Sequence, residues 1–235
     1  MELAIKQIAL PLSLDRQFSF ENFFSNKAEL VVDSLKSQIV ANGENQIGLW
    51  GSACSGKTHL LNACAYYARQ QQISLQIYDA RQLADCDADE FEGFSHCDVL
   101  AIDNLDAIAG NSAWEHLFYQ TVNRCRQGEF RFIFSLSLNP QHLKCNLDDF
   151  RSRLSWGLLL QLPDSDEEDI RNIMRRRAHL LGMEFSSEVI SYLLTHHSRN
   201  LSSQMEILRT LDGVSLMRQR KVTIPLVKQA LADRA

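Results

Sequence analysis

Gly51-Ser52-Ala53-Cys54-Ser55-Gly56-Lys57-Thr58 set two glycines, a lysine and a hydroxyl at the spacing G-x-x-x-x-G-K-[ST], a group of residues able to hold a chain of phosphates. Gly51 and Gly56 admit backbone angles that a Cβ would block, so successive N–H groups can turn inward toward anionic oxygens. Lys57 is then placed to reach the terminal phosphates, and Thr58 to hold a bridging Mg²⁺. Val99-Leu100-Ala101-Ile102-Asp103, ending 45 residues after Thr58, is an apolar run closed by a carboxylate suited to the same ion. Asn104 follows it, where many ATPases carry a glutamate that polarises the attacking water, and an amide cannot take that proton. Nucleotide binding with slow intrinsic turnover is therefore expected. Asp106 reads as a surface residue of the next turn rather than as a replacement base.

Those groups need a strand before the loop and a helix after it. Gln46 to Trp50 reads as a short buried strand, and His59 to Ala68 as a helix with Leu60, Leu61, Cys64, Ala65 and Ala68 on one face. That context opposes the competing reading, a chance glycine turn. The helix start adds partial positive charge at the phosphates. Apolar runs recur at Ile73 to Tyr78, Val99 to Ile102, Phe130 to Leu136 and Leu158 to Leu162, each separated by a helix-forming segment. Alternation of this kind predicts a parallel five-stranded sheet with helices on both faces. After Pro163 the strand pattern stops: Asp166 to Leu181, Ser187 to Thr195, Ser202 to Met217 and Ile224 to Ala232 read as helices of a small all-helical domain. Ser165-Asp166-Glu167-Glu168 supplies a cap and acids at the start of the first. The expected division is 1–16 as an N-terminal peptide, 17–162 as the nucleotide-binding α/β domain and 163–235 as the helical domain.

With 235 residues, 45% hydrophobic and 23% charged, the chain suits one α/β domain and a smaller companion. A net charge of −5 argues against nucleic-acid binding by bulk electrostatics, and Arg175-Arg176-Arg177 reads as a solvated helix face. Six cysteines without a C-x-x-C pair make a disulfide framework or zinc site unexpected. The N-terminus does not read as a signal peptide and no apolar run nears the roughly 20 residues that span a bilayer, so a soluble cytoplasmic protein with no membrane partner is expected.

Taken together, the phosphate loop, the Asp103 strand, Phe18-Ser19-Phe20-Glu21-Asn22-Phe23 and Phe150-Arg151-Ser152-Arg153-Leu154-Ser155-Trp156-Gly157 resemble the AAA+ P-loop NTPases, and within them the relatives of the bacterial initiator DnaA. The resemblance implies an AAA+ fold with a helical lid domain. It also implies a nucleotide site of Phe20, Asn22, Phe23, Gly51, Ser52, Ala53, Cys54, Ser55, Gly56, Lys57, Thr58, His59 and Asp103, holding ADP or ATP with Mg²⁺ through Thr58 and Asp103. Arg153 matches the arginine finger that the family's SRL-x-WG element offers to a neighbouring subunit's nucleotide, against the plainer reading of a structural salt bridge. Ile102 to Gly110 with its Asn, and Trp114 beyond, is similar to the DnaA-related regulators that switch the initiator off. In these the DNA-binding helix-turn-helix domain of DnaA is expected to be absent. Gln7-Ile8-Ala9-Leu10-Pro11-Leu12 resembles the peptide by which such regulators dock on the sliding clamp, the beta subunit of DNA polymerase III. Gln7 would bond a carbonyl at the pocket rim, Ile8, Leu10 and Leu12 would offer apolar contacts, and Pro11 would pre-order the backbone. A first strand, or a segment packed on its own domain, is the alternative.

The resemblance thus implies an ADP-bound negative regulator of replication initiation with DnaA and the clamp as partners. DNA would be met through the clamp, and a homodimer is left open. Two departures stand out. Ser137-Leu138-Asn139-Pro140 occupies the place of a usual Asp-Arg-Pro-Pro sensor, and Met205 that of an arginine directed at the nucleotide, with Arg209 one turn on. Both weaken discrimination of triphosphate from diphosphate. The rival readings are a helicase-loader-type AAA+ protein on single-stranded DNA, and an active P-loop ATPase or kinase. Asn104 opposes turnover, and Arg81 alone after Ile77 is a poor acceptor site for a kinase.

Overall fold

The computed structural model describes residues 18–24, 28–89, 91, 94, 96–198, 200–218 and 222–232. Five strands, β1 (Gln46–Trp50), β2 (Leu75–Asp79), β3 (Val99–Asp103), β4 (Arg131–Leu136) and β5 (Leu158–Gln161), form one sheet in the order β2-β3-β4-β1-β5. Every pairing is parallel. Each strand therefore has to return by a crossover, which puts helices over both faces and buries the sheet on both sides.

Alternation along the strands divides the core accordingly. Val99, Ala101, Ile133, Ile47 and Leu49 face the layer of α1 (Ala28–Ile39) and α2 (Lys57–Gln70). Leu100, Ile102, Phe132, Phe134 and Leu136 face the layer of α3 (Ala80–Leu83), α4 (Ser112–Arg126) and α5 (Asp148–Leu154). Gly48 is required between them, because a Cβ there would lie 2.5 Å from the Phe134 ring and 2.7 Å from Leu159. Two large rings of the second layer, Trp114 and Phe118, are fully buried on α4.

Two element starts differ from the sequence expectation by two residues, for local reasons, and those of β4 and of two helices after Pro163 by a single residue. The helix after the phosphate loop begins at Lys57 rather than His59, because Gly56, at φ 95°, turns the chain into it directly. The second strand begins at Leu75 rather than Ile73, because the Ile73 N–H is spent on the Ala68 carbonyl that closes α2.

The chain divides into two compact units between Pro163 and Asp164. The second contains α6 (Glu167–Leu180), α7 (Ser187–His196), α8 (Leu201–Arg218) and α9 (Ile224–Ala232). Asp166 caps α6 and exchanges hydrogen bonds reciprocally with Asp169. Ile170, Met174, Leu193, Leu208, Leu211 and Val227 make a separate core. Met205 packs against that core and Arg209 is exposed.

Candidate functional site

Sheet order decides which side chains can meet at the C-terminal strand ends. β1 delivers the phosphate loop, β3 delivers Asp103, and β4 lies between them. Asp103 continues the Val99–Ala101 face and so points toward the side where α2 begins. The Thr58 hydroxyl donates to Asp103 Oδ2 at 2.6 Å, bringing the two metal-ligand candidates together. Ser135 on β4, fully buried, donates to Asp103 Oδ1, and the Asn104 N–H donates to both, at 3.1 Å and 2.8 Å. Ser135 is a positioning residue that sequence reasoning passed over. Its signal was a single hydroxyl in the apolar strand Arg131-Phe132-Ile133-Phe134-Ser135-Leu136, where a buried polar group requires a partner.

Lys57 is 8% exposed, and its ammonium donates to the carbonyls of Gly51 and Ser52, both at 2.6 Å. Burial pushes its pKa below the ordinary lysine value, partly countered by Asp103, Asp106 and Cys54. A Cβ on Gly51 would stand 2.6 Å from the Leu162 carbonyl, and one on Gly56 2.7 Å from the Phe23 ring. Phe23 therefore lies against the loop, tilted at 6.1 Å from His59, whose Nε2 is 3.0 Å from the Ser19 carbonyl. Phe20 is a core residue, edge-on to Tyr67 at 5.9 Å, and Asn22 ends the short 3-10 helix Phe20–Asn22. Phe23, the loop, His59 and Asp103 are thus gathered in one place, while the Phe20 ring is turned to Tyr67 on α2. Gln7, Ile8, Leu10, Pro11 and Leu12 lie outside the described residues.

These residues fit a polyphosphate and its metal ion. A buried ammonium bonded only to carbonyl and hydroxyl oxygens favours an anion, and a hydroxyl–carboxylate pair stands beside it. Among the described residues no group of three or more His, Cys, Asp or Glu could hold a metal alone. Mg²⁺ would therefore share its coordination between Thr58, Asp103 and phosphate.

The neighbouring acids are engaged elsewhere. Asn104 adopts the left-handed conformation (φ 54°, ψ 43°), one that asparagine tolerates, and its Nδ2 donates to Asp79 Oδ1 at 3.1 Å. Arg81 grips the same carboxylate at 2.8 Å. Desolvation pushes Asp79 upward, but the bonds from Arg81 and Asn104 together hold its carboxyl below the ordinary range. Asp106 accepts from the Ser137 hydroxyl at 2.6 Å and the Ser137 N–H at 3.1 Å, which joins the turn after β3 to the one after β4. Asn139 is spent capping Pro140–His142 through the Gln141 N–H.

Arg153 sits away from these acids, in the last turn of α5. Among the described residues it makes no ion pair. Its guanidinium lies 3.8 Å from the centroid of Trp156 and donates to the Tyr119 hydroxyl at 3.3 Å. That bond holds the Tyr119 phenol below its ordinary pKa. The backbone is fixed independently: buried Gln46 on β1 donates to the carbonyls of Arg153 and Leu154, each at 3.1 Å. Gly157 completes the turn, since a Cβ there would lie 2.3 Å from the Gln46 carbonyl oxygen. Gly157→Ala is expected to destabilise the chain by about 1–3 kcal/mol, seen as a lower urea midpoint at unchanged slope.

A family model described as the bacterial DnaA ATPase domain matches residues 14–161, and one described as the lid domain of Hda matches residues 166–231. The chain is 30% identical over 228 residues, 96% of its length and 98% of the other's, to an uncharacterized protein of Haemophilus influenzae. Domain III of the Thermotoga maritima replication initiation protein DnaA superposes with a TM-score of 0.81 at 20% identity, covering 93% of this chain and 97% of that one. AMPPCP-bound DnaA from Aquifex aeolicus gives 0.71 at 22% identity, covering 85% and 66%. The chain belongs to the DnaA-related AAA+ proteins, with a bacterial DnaA ATPase domain followed by an Hda-type lid.

Proposed function

We propose that the chain is an ADP-bound regulator that docks on the sliding clamp and promotes hydrolysis of ATP held by DnaA, shutting down replication initiation. Its own nucleotide has a structural role. Gly51 to Thr58 would wrap the phosphates, Lys57 would exchange its carbonyl partners for phosphate oxygens, and Phe23 would border the nucleotide. Thr58 and Asp103 would hold Mg²⁺, which would supply neutralising charge there. Asn104, committed to Asp79, offers no base to a water. The turn after β4 offers no arginine to a γ-phosphate, and its Ser137 and Asn139 are otherwise bonded. This favours indifference between ADP and ATP.

The observation that carries the reading is Arg153, a guanidinium without an ion pair among the described residues, held by an aromatic ring and a fixed backbone turn. A structural arginine would be expected to neutralise a carboxylate. An arginine presented to a partner supplies its charge where negative charge develops during phosphoryl transfer. Gln7 to Leu12 would bring the chain to the clamp on DNA.

The test has two arms. Mixed with sliding clamp, the chain is expected to co-elute with it, and deleting Gln7 to Leu12 to abolish co-elution while leaving ADP binding intact. With clamp loaded on DNA, the chain is expected to accelerate hydrolysis of ATP preloaded on DnaA. Unchanged hydrolysis would overturn the reading, and salt-sensitive binding of single-stranded DNA without clamp would favour the helicase-loader alternative. Turnover by the isolated chain is expected to fall well below the ~10 s⁻¹ of a median enzyme. Asn104→Glu is not expected to reduce that turnover; rapid multiple turnover by the unmodified chain would move the site to an active ATPase.

A further inference from the structure

Trp156 is 46% exposed and carries two cations, not one. The guanidinium of Arg126, at the end of α4, lies 4.0 Å from the ring centroid, and that of Arg153 lies 3.8 Å from it. The two charges can be no farther apart than those distances together. Neither is neutralised by an ion pair among the described residues, although the chain as a whole carries a net charge of −5. An aromatic face attracts each guanidinium singly, but it does not remove their mutual repulsion. An anion bearing more than one charge would. Both arginines also project from regular helices, and the turn bearing Trp156 is fixed by Gln46 and Gly157.

We propose that Arg126 and Arg153, sharing Trp156 as a platform, form a two-guanidinium site for the phosphate oxygens of a nucleotide carried by a partner subunit. The inference rests on the reading of Arg153 as a trans-acting finger and extends it. Arg126 is a second phosphate-contacting residue, and Trp156 is a positioning residue that orients both planes. Two planar forks can bind several oxygens of a triphosphate at once, which a single guanidinium cannot do with fixed geometry. The competing account is that the arginine stems merely cover an exposed indole.

Single-turnover hydrolysis of DnaA-bound ATP with clamp-loaded chain separates the two, read as the maximal rate at saturating chain and as the concentration giving half of it. Arg126→Gln is expected to lower the maximal rate tenfold or more with no change in melting temperature. Trp156→Leu is expected to do the same, while Trp156→Phe, which keeps an aromatic face, retains most of the rate. If Arg126→Gln lowers the melting temperature, Arg126→Lys restores the covering stem, and a several-fold rate loss is still expected because the fork is missing. Wild-type maximal rates in Arg126→Gln, or in a stable Arg126→Lys, overturn the proposal. If Arg153→Ala is inactive in the same assay, the single-finger reading survives; if Arg153→Ala is also fully active, that reading fails with it.

Discussion

Arg153→Ala is expected to reduce the chain's acceleration of DnaA-bound ATP hydrolysis by about 10³ to 10⁵, the range for loss of an arginine finger. In barrier terms that is roughly 4–7 kcal/mol, at 1.36 kcal/mol per decade. The fold should hardly register the change. Arg153 makes no ion pair among the described residues, and Gln46 bonds its backbone carbonyl rather than its side chain. What is lost inside the molecule is the cation–π contact with Trp156, a longer one with the Tyr119 ring and one bond to the Tyr119 hydroxyl, so the melting temperature and ADP binding should remain close to wild type. Arg153→Lys should also fail in large part, since an ammonium is a point charge without the planar fork that spans two phosphate oxygens. Equal single-turnover rates for wild type and Arg153→Ala would return Arg153 to a purely structural role.

The contrast between Arg153 and Ser135 shows what a sequence can and cannot disclose here. The phosphate loop was legible because its constraints are local. Gly56 must take a positive φ, Lys57 and Thr58 must follow it at once, and apolar runs before and after must be a strand and a helix. The sheet was legible for a related reason, as alternating apolar runs and helical segments leave few arrangements for parallel strands. Long-range polar partners left weaker traces. That Ser135 holds Asp103 depends on β4 lying between β1 and β3, an order no single strand reveals. Asp106 read as a surface residue of its turn because its partner, Ser137, is 31 residues away on another strand's exit. Arg126 was invisible for the same reason: a guanidinium on one helix and an indole beyond another have no shared sequence signature until they stack. The clamp-docking reading of Gln7 to Leu12 rests on sequence alone.

Lys57→Met is expected to remove nucleotide binding while sparing the ligand-free fold. In the wild-type chain Lys57 is nearly buried, and desolvation lowers its pKa, so the folded state holds its charge at a cost. For a lysine with a depressed folded pKa, that cost is fully present below the folded value and disappears as pH rises through 10.5. Methionine has a similar length and no charge, so its substitution relieves desolvation while forfeiting the bonds to Gly51 and Ser52, and the opposing changes should leave ligand-free stability within about 1 kcal/mol. Binding is another matter. Losing a buried ammonium that is proposed to meet the phosphates should weaken ADP by about 2–5 kcal/mol, roughly 30-fold to several thousand-fold. The consequence can be read in a melting experiment. ADP at 100 times the wild-type dissociation constant should stabilise the wild-type chain by about 2.7 kcal/mol, which for a protein of this size is a rise of roughly 5–10 °C. The same concentration should move Lys57→Met by little or nothing. An equal ADP-dependent shift in both proteins would mean that Gly51 to Thr58 is not where the nucleotide binds.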